Sequence, residues 1–307
     1  MLKKLTEDTR RLLLIEEKGI SAEVQDALTF LTSALIKDMQ SSGRHNQKQS
    51  VYWNNFNVTL FGDLDLTVDY YINIFAKPTT QEQKKEFKYN RSKHVISINY
   101  VIYLPEFNPA SIDLSICPMF LTQLSHELKH AYQHYMVNRN RGKDNADLLN
   151  YKEDIIYNAA LNVTNSQTQK GTLDKLIALL IYYTNDSEIT AYQEALYTGG
   201  QKVEYCDIEK YVNNSEVAGV SNKIEEMLHV IQNKNVNPGS PLDKHLKYVY
   251  NRDLNWFIRR LNNGLRKYKK VLKDTEKMLK KRNSQTMREG FQPDYWKEIM
   301  ESLNLLL

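Results

Sequence analysis

The sequence predicts an α+β fold: a small, mostly antiparallel sheet packed on one buried helix, with more helices added at both ends. Three observations predict it. Residues 56–104 alternate apolar and polar side chains at the period of a half-buried strand. Residues 115–137 carry Phe120, Leu124, Leu128, Ala131 and Tyr135 at spacings of three and four, the stripe of a buried helix. The flanking segments are punctuated by helix caps and stops. With 307 residues, 41% hydrophobic and 25% charged, the chain can fill one large domain or two modest ones. The divisions expected are a helical pair over 1–43, a core over 44–205 and a helical region over 206–307.

Taken in order, residues 10–18 read as a first helix stopped by Gly19. Ser21 then caps a stripe of Val24, Leu28, Leu31 and Leu35 that closes near Ser41-Ser42-Gly43. Residues 44–55 are polar and read as a loop. Asn57 to Phe61 lead into a Gly62-Asp63 turn, and Leu64, Leu66, Val68, Tyr70, Ile72 and Ile74 make a strand. Lys77-Pro78 ends it, and residues 79–91 read as a charged loop or flap. His94 to Leu104 is a second strong strand, ended by Pro105. Ser111 or Ser115 caps the next helix, where Pro118 fits only the first turn.

Further on, residues 144–163 and 172–183 read as helices, joined by a polar connector. Asn185-Asp186-Ser187 offers a cap for a helix from Glu188 to Tyr197, closed by Gly199-Gly200. Ser240-Pro241-Leu242-Asp243 is a strong helix start. That helix should run to about Arg282, with a break at Asn262-Asn263-Gly264. Gln292-Pro293 opens a last helix, and Leu305-Leu306-Leu307 suits a docked end.

The chemistry is concentrated in His126-Glu127-Leu128-Lys129-His130, an H-E-x-x-H. Residues i and i+4 of a helix share a face, so both imidazoles can point at one metal ion. Glu127 sits about 100° round the helix from His126 and can reach a water on that metal. A catalytic zinc takes three protein ligands and keeps one position open. His134, eight residues past His126, lies about 12 Å up the axis and reads as a surface or supporting residue. Glu188 is the better third ligand, in the first turn of a capped helix where the dipole favours a carboxylate. Ala191, one turn on, lets that helix approach closely. Glu194 and Asp186 are the alternatives.

His126-Glu127-x-x-His130 with a later Glu188-x-x-Ala191 resembles the gluzincin metallopeptidases over roughly residues 56–200. The resemblance implies a zincin-like core and Zn2+ held by His126, His130 and Glu188. It also implies Glu127 as general base in peptide-bond hydrolysis. Family members often carry Asp after the Ala, orienting a histidine; here Tyr192 stands there. The metzincin pattern is absent, since Gln133 and Met136 occupy the places of its glycine and third histidine. Tyr132, Tyr192 and Tyr197 are candidate donors to an oxyanion.

The expected partner is a peptide or protein substrate, held along the edge of the sheet by backbone hydrogen bonds. The rival reading is a structural part of a homo- or hetero-oligomeric assembly, such as a phage virion, with a vestigial or structural metal site. Between Arg252 and Glu289 there are 13 Lys or Arg against 4 Asp or Glu. No aromatic or glycine-rich recognition pattern interleaves this charge, so it reads as a solvated face and nucleic acid is not expected. A net charge of +4 names no partner. No 18-residue apolar window and no secretory leader are evident, so neither membrane nor export is expected and the location is cytoplasmic. Cys117 and Cys206 read as buried, reduced thiols.

Overall fold

The computed structural model describes residues 20–42, 44–45, 49–75, 84–103, 114, 117–139, 160, 172–234 and 236–290. The fold is α+β. Helix α1 (Ala22–Ser42) is followed by strands β1 (Arg44–His45), β2 (Gln49–Leu60), β3 (Leu64–Phe75), β4 (Lys84–Asn90) and β5 (Val95–Tyr103). Helices α2 (Pro118–Arg139), α3 (Thr172–Tyr183), α4 (Asp186–Gly200), α5 (Ile208–Asn213), α6 (Glu216–Asn233), α7 (Pro241–Tyr250) and α8 (Leu254–Gly290) complete the described chain.

The strands form one sheet in the order β1-β2-β3-β5-β4. Every neighbouring pair is antiparallel except β3 and β5, which are parallel. β2 and β3 form a hairpin whose turn puts Phe61 at φ 55° and Gly62 at φ 95°, the left-handed region that glycine enters without strain. Along β3, Leu66, Val68, Tyr70, Ile72 and Ile74 are buried while Asp65, Asp69 and Tyr71 face solvent. The buried face packs against α1 and α2. Val24, Leu28, Leu31 and Leu35 of α1 and Phe120, Leu124, Leu128 and Ala131 of α2 are 0–5% exposed there. Each of the valine, leucine and phenylalanine side chains contributes about 1.5–3 kcal/mol on leaving water.

A second apolar core joins α3, α4, α6, α7 and α8. α4 lies between the two cores and is buried over nearly its whole length. Ile189, Tyr192 and Leu196 enter the helical core. Glu188, Ala191, Glu194 and Thr198, at 0–3% exposure, recur at helical spacing on a different face. α4 runs antiparallel to α2, since Thr122 lies against Gly199, Lys129 meets Glu194 and Gln133 meets Ser187.

Three expected elements change. Most of residues 44–55 belong to strands, because β2 pairs with β3 from Gln49↔Phe75 to Leu60↔Leu64. The asparagines that read as loop, Asn54, Asn55 and Asn57, are exposed and cost little there. Residues 84–90 form β4 rather than a flap. Its alternating charges belong to the exposed edge of the sheet, where a charged strand reads like a loop. Helix α8 runs unbroken through Asn262-Asn263-Gly264. The break comes earlier, at Asn251, which takes the left-handed conformation (φ 51°) and ends α7. Gly264 permits close contact instead: a Cβ there would meet Thr184 Cγ2 at 2.5 Å.

Several local signals match the structure. Ser240 caps α7 by accepting from Asp243 N–H, with Pro241 in the first turn. The stripe after Ser21 is α1, and Pro118 opens α2. Cys117 is buried against the Tyr100 hydroxyl (3.1 Å), but Cys206 is exposed, because it sits on a short surface 3-10 turn, Tyr205–Asp207. Both thiols are free. Among the described residues no helix is long and apolar enough to cross a membrane. The expected helices at 10–18, 144–163 and 292–303, the caps Ser111 and Ser115 and the apolar end lie outside the described residues.

Candidate metal centre

Helix α2 presents His126 and His130 one turn apart, with their Nε2 atoms 3.2 Å from each other. Helix α4 brings the third group. Asn185 caps it, its side-chain oxygen accepting from Ser187 N–H at 3.0 Å. Glu188 therefore sits in an ordered first turn, with its side chain fully buried. Its Oε1 lies 3.1 Å from His130 Nε2 and its Oε2 3.5 Å from His126 Nε2. The approach depends on small residues: Ala191 is fully buried, and a Cβ on Gly199 would meet Thr122 Oγ1 at 2.3 Å.

These spacings test whether a metal fits. Two ligand atoms about 2.0–2.1 Å from a tetrahedral ion stand about 3.3 Å apart. The observed 3.1, 3.2 and 3.5 Å bracket that value. Two imidazoles and a carboxylate are also the donor set that zinc accepts with one position open. His126, His130 and Glu188 together could hold a metal ion. Another grouping, Glu204, Cys206 and Asp207, is exposed on one short turn. Nothing there prearranges a ligand cage.

Charge explains how the triad is held. Burial works against the His130 cation, but the Glu188 charge and hydrogen bond prevail and hold the imidazole up at about 9. Burial would raise Glu188, yet the His130 charge and the close approach of both imidazoles keep it well below the carboxylate range. Carboxylate and imidazoles thus hold one another in place. Burial pushes Glu127 above its usual range, opposed by the two imidazoles and a backbone hydrogen bond.

That bond comes from the sheet. Glu127 Oε2 accepts from the Tyr89 N–H of edge strand β4 at 2.6 Å. The Tyr89 hydroxyl in turn meets His134 Nδ1 at 2.7 Å, and His134 Nε2 meets Asn138 at 2.9 Å. His134 is outside the triad, as its spacing requires, and supports the strand that holds Glu127.

No match to a family model, a curated protein or a solved structure was found for the chain.

The remaining candidates fall elsewhere. Asp186 is exposed and pairs with Lys267 on α8. Glu194 is fully buried but turns to a different set of partners: Lys129 Nζ (3.3 Å), Ser21 N–H (3.0 Å) and Gln25 Nε2 (2.6 Å). Tyr192 lays its ring against His126, centroids 4.7 Å apart, while its hydroxyl donates to Glu216 at 3.3 Å. Tyr132 packs on Phe61, and Tyr197 joins a small cluster with Ile20, Ile208 and Leu279.

Sequence reasoning missed Tyr89, Lys129 and Gln133. Lys129 stands beside the Phe120–Tyr135 stripe rather than on it, and its partner Glu194 is 65 residues away, so no local pattern marks it. Tyr89 acts through its backbone, which no side-chain pattern reveals.

Proposed function

We propose that this protein hydrolyses peptide bonds with a zinc ion held by His126, His130 and Glu188 and with Glu127 as general base. One observation carries the reading: two imidazoles of one helix and a buried carboxylate of another meet at tetrahedral spacing, with a second carboxylate, Glu127, beside them. The gluzincin resemblance of H-E-x-x-H with Glu188-x-x-Ala191 supports the same assignment.

A zinc ion there would supply Lewis acidity, making water a nucleophile near neutral pH and polarising the scissile carbonyl. Glu127 takes the proton from the attacking water and delivers it to the leaving amine. Its raised pKa suits that exchange, and the Tyr89 N–H fixes its direction. The sheet edge supplies the substrate track. Tyr89 turns its N–H away from β5, so antiparallel alternation turns the backbone of Phe87 the same way. An extended peptide pairing with that edge passes directly beside Glu127.

The test is metal content together with Glu127→Gln. Expected are one zinc per chain and proteolysis of an unfolded protein substrate. The variant should keep the zinc and lose at least about a hundredfold in rate, the scale of general-base catalysis. Absence of zinc, or unchanged proteolysis by the variant, would contradict the assignment. Bound zinc with no proteolysis by either protein would favour the structural reading.

A further inference from the structure

Gln133 lies on α2, three residues past His130, and its side-chain amide touches both helices of the metal centre. Its Oε1 is 3.1 Å from His130 Nδ1. Its Nε2 is 3.0 Å from the Ser187 carbonyl and 2.7 Å from Thr190 Oγ1 on α4.

Chemistry fixes the direction of these contacts. The Ser187 carbonyl can only accept. The Thr190 hydroxyl proton is directed at the Asp186 and Ser187 carbonyls, 2.9 and 3.1 Å away, so its oxygen also accepts from Gln133. A flipped amide would aim its oxygen at two acceptors. Gln133 Oε1 therefore faces His130, and an amide oxygen only accepts. His130 must carry hydrogen on Nδ1, and its Nε2 is the nitrogen that faces Glu188 (3.1 Å) and His126 (3.2 Å).

We infer that Gln133 is a positioning residue for the metal centre. It sets the His130 tautomer so that Nε2 is the ligand atom. It also ties down Ser187, the residue before Glu188, so one amide aligns ligands from two helices. This role rests on the metal-site reading above. It fills a place left open in the resemblance, because Tyr192, standing where an orienting acid would be, directs its hydroxyl to Glu216. Partners that orient ligating histidines are typically worth 10- to 100-fold in metal affinity.

The experiment uses the full chain with Gln133→Met, close in length but without hydrogen bonds, and Gln133→Glu, which keeps an acceptor for Nδ1. Zinc affinity is measured by competition with a chromophoric chelator, and melting temperature monitors folding. Nitrogen-15 NMR of the histidines in the zinc-loaded wild type reports which ring nitrogen is protonated. The expected results are an Nδ1–H tautomer at His130, zinc binding weakened 10- to 100-fold by Gln133→Met, and partial recovery in Gln133→Glu.

Zinc affinity within twofold of wild type in Gln133→Met would overturn the role. So would two variants equally weakened, which would leave only a tie between helices. Should Gln133→Met fail to fold, an Nε2–H tautomer in the wild type refutes the inference by itself. A wild type that binds no zinc refutes the metal site as well, whereas zinc binding with an indifferent Gln133→Met refutes this inference alone.

Discussion

Replacing Lys129 with Met should destabilise the fold through the carboxylate it leaves behind. Lys129 occupies a variable place in the H-E-x-x-H, yet its side chain is only 10% exposed and its Nζ lies 3.3 Å from Glu194 Oε2. Glu194 is fully enclosed. Removing one member of a buried ion pair costs about 3–5 kcal/mol, because the other charge stays buried without compensation. Here Ser21 N–H and Gln25 Nε2 remain on the carboxylate, which places the cost near the lower bound, about 3 kcal/mol.

The pH dependence gives the mechanism a signature. Burial already raises Glu194, against the pull of Lys129, so the folded state holds its proton to higher pH than the unfolded chain does. An acid with a raised folded pKa destabilises the fold above that pKa and ceases to do so below its unfolded value, about 4.3. The Lys129→Met penalty should therefore grow as pH rises from about 4.3. Adding Glu194→Gln should restore stability to within about 1 kcal/mol of wild type, since a neutral amide can still accept from the Ser21 N–H. Urea unfolding of the four proteins, followed by circular dichroism, measures this cycle. A single variant within 0.5 kcal/mol of wild type, roughly the scatter of a surface change, would refute the reasoning. So would a double variant no better than the single one.

Other consequences follow from the same packing. Gly264→Ala should cost about 1–3 kcal/mol in chemical unfolding, because its Cβ would meet Thr184 Cγ2 at 2.5 Å. Thr184→Ser should relieve most of that cost, removing the methyl and keeping the hydroxyl bonded to the Leu180 carbonyl and Arg260. Gly199→Ala should weaken zinc binding measurably by wedging α4 off α2 at Thr122, and an unchanged affinity would show that the helix contact is not tight there. Asp243 is held down at about 2 by the Lys247 hydrogen bond, then by the backbone N–H groups of Gly239 and Leu254. Its stabilisation is complete above the unfolded value and is lost as pH falls through about 2. The melting-temperature gap between wild type and Asp243→Asn should therefore shrink on acidification from pH 5.

Where the sequence was legible, the physics was local. The stripe from Val24 to Leu35, the alternation from Leu64 to Ile74 and the caps at Asn185 and Ser240 each depend on near neighbours in the chain. So does the shared face of His126 and His130. Glu188 was within reach because a cap and first-turn acid mark a helix start, and the structure then brings it to the histidines. What escaped depends on distant partners. β4 reads as charged loop until β5 supplies its ladder. Gly264 reads as a breaker until Thr184 is placed against it. Lys129 and Glu194 are 65 residues apart, and neither residue type announces the other. Helix α6 also went unread, although its signal is local: Ser215 caps it, and Val217, Val220, Ile224, Leu228 and Ile231 form its buried face.

Zinc-edge X-ray absorption on the purified full chain tests the central claim most directly. The account predicts one zinc per chain with about four nitrogen or oxygen neighbours at about 2.0–2.1 Å, the outer-shell scattering of two imidazoles, and a smaller coordination shell after Glu188→Ala. Sulfur neighbours near 2.3 Å, or a spectrum unmoved by Glu188→Ala, would contradict it.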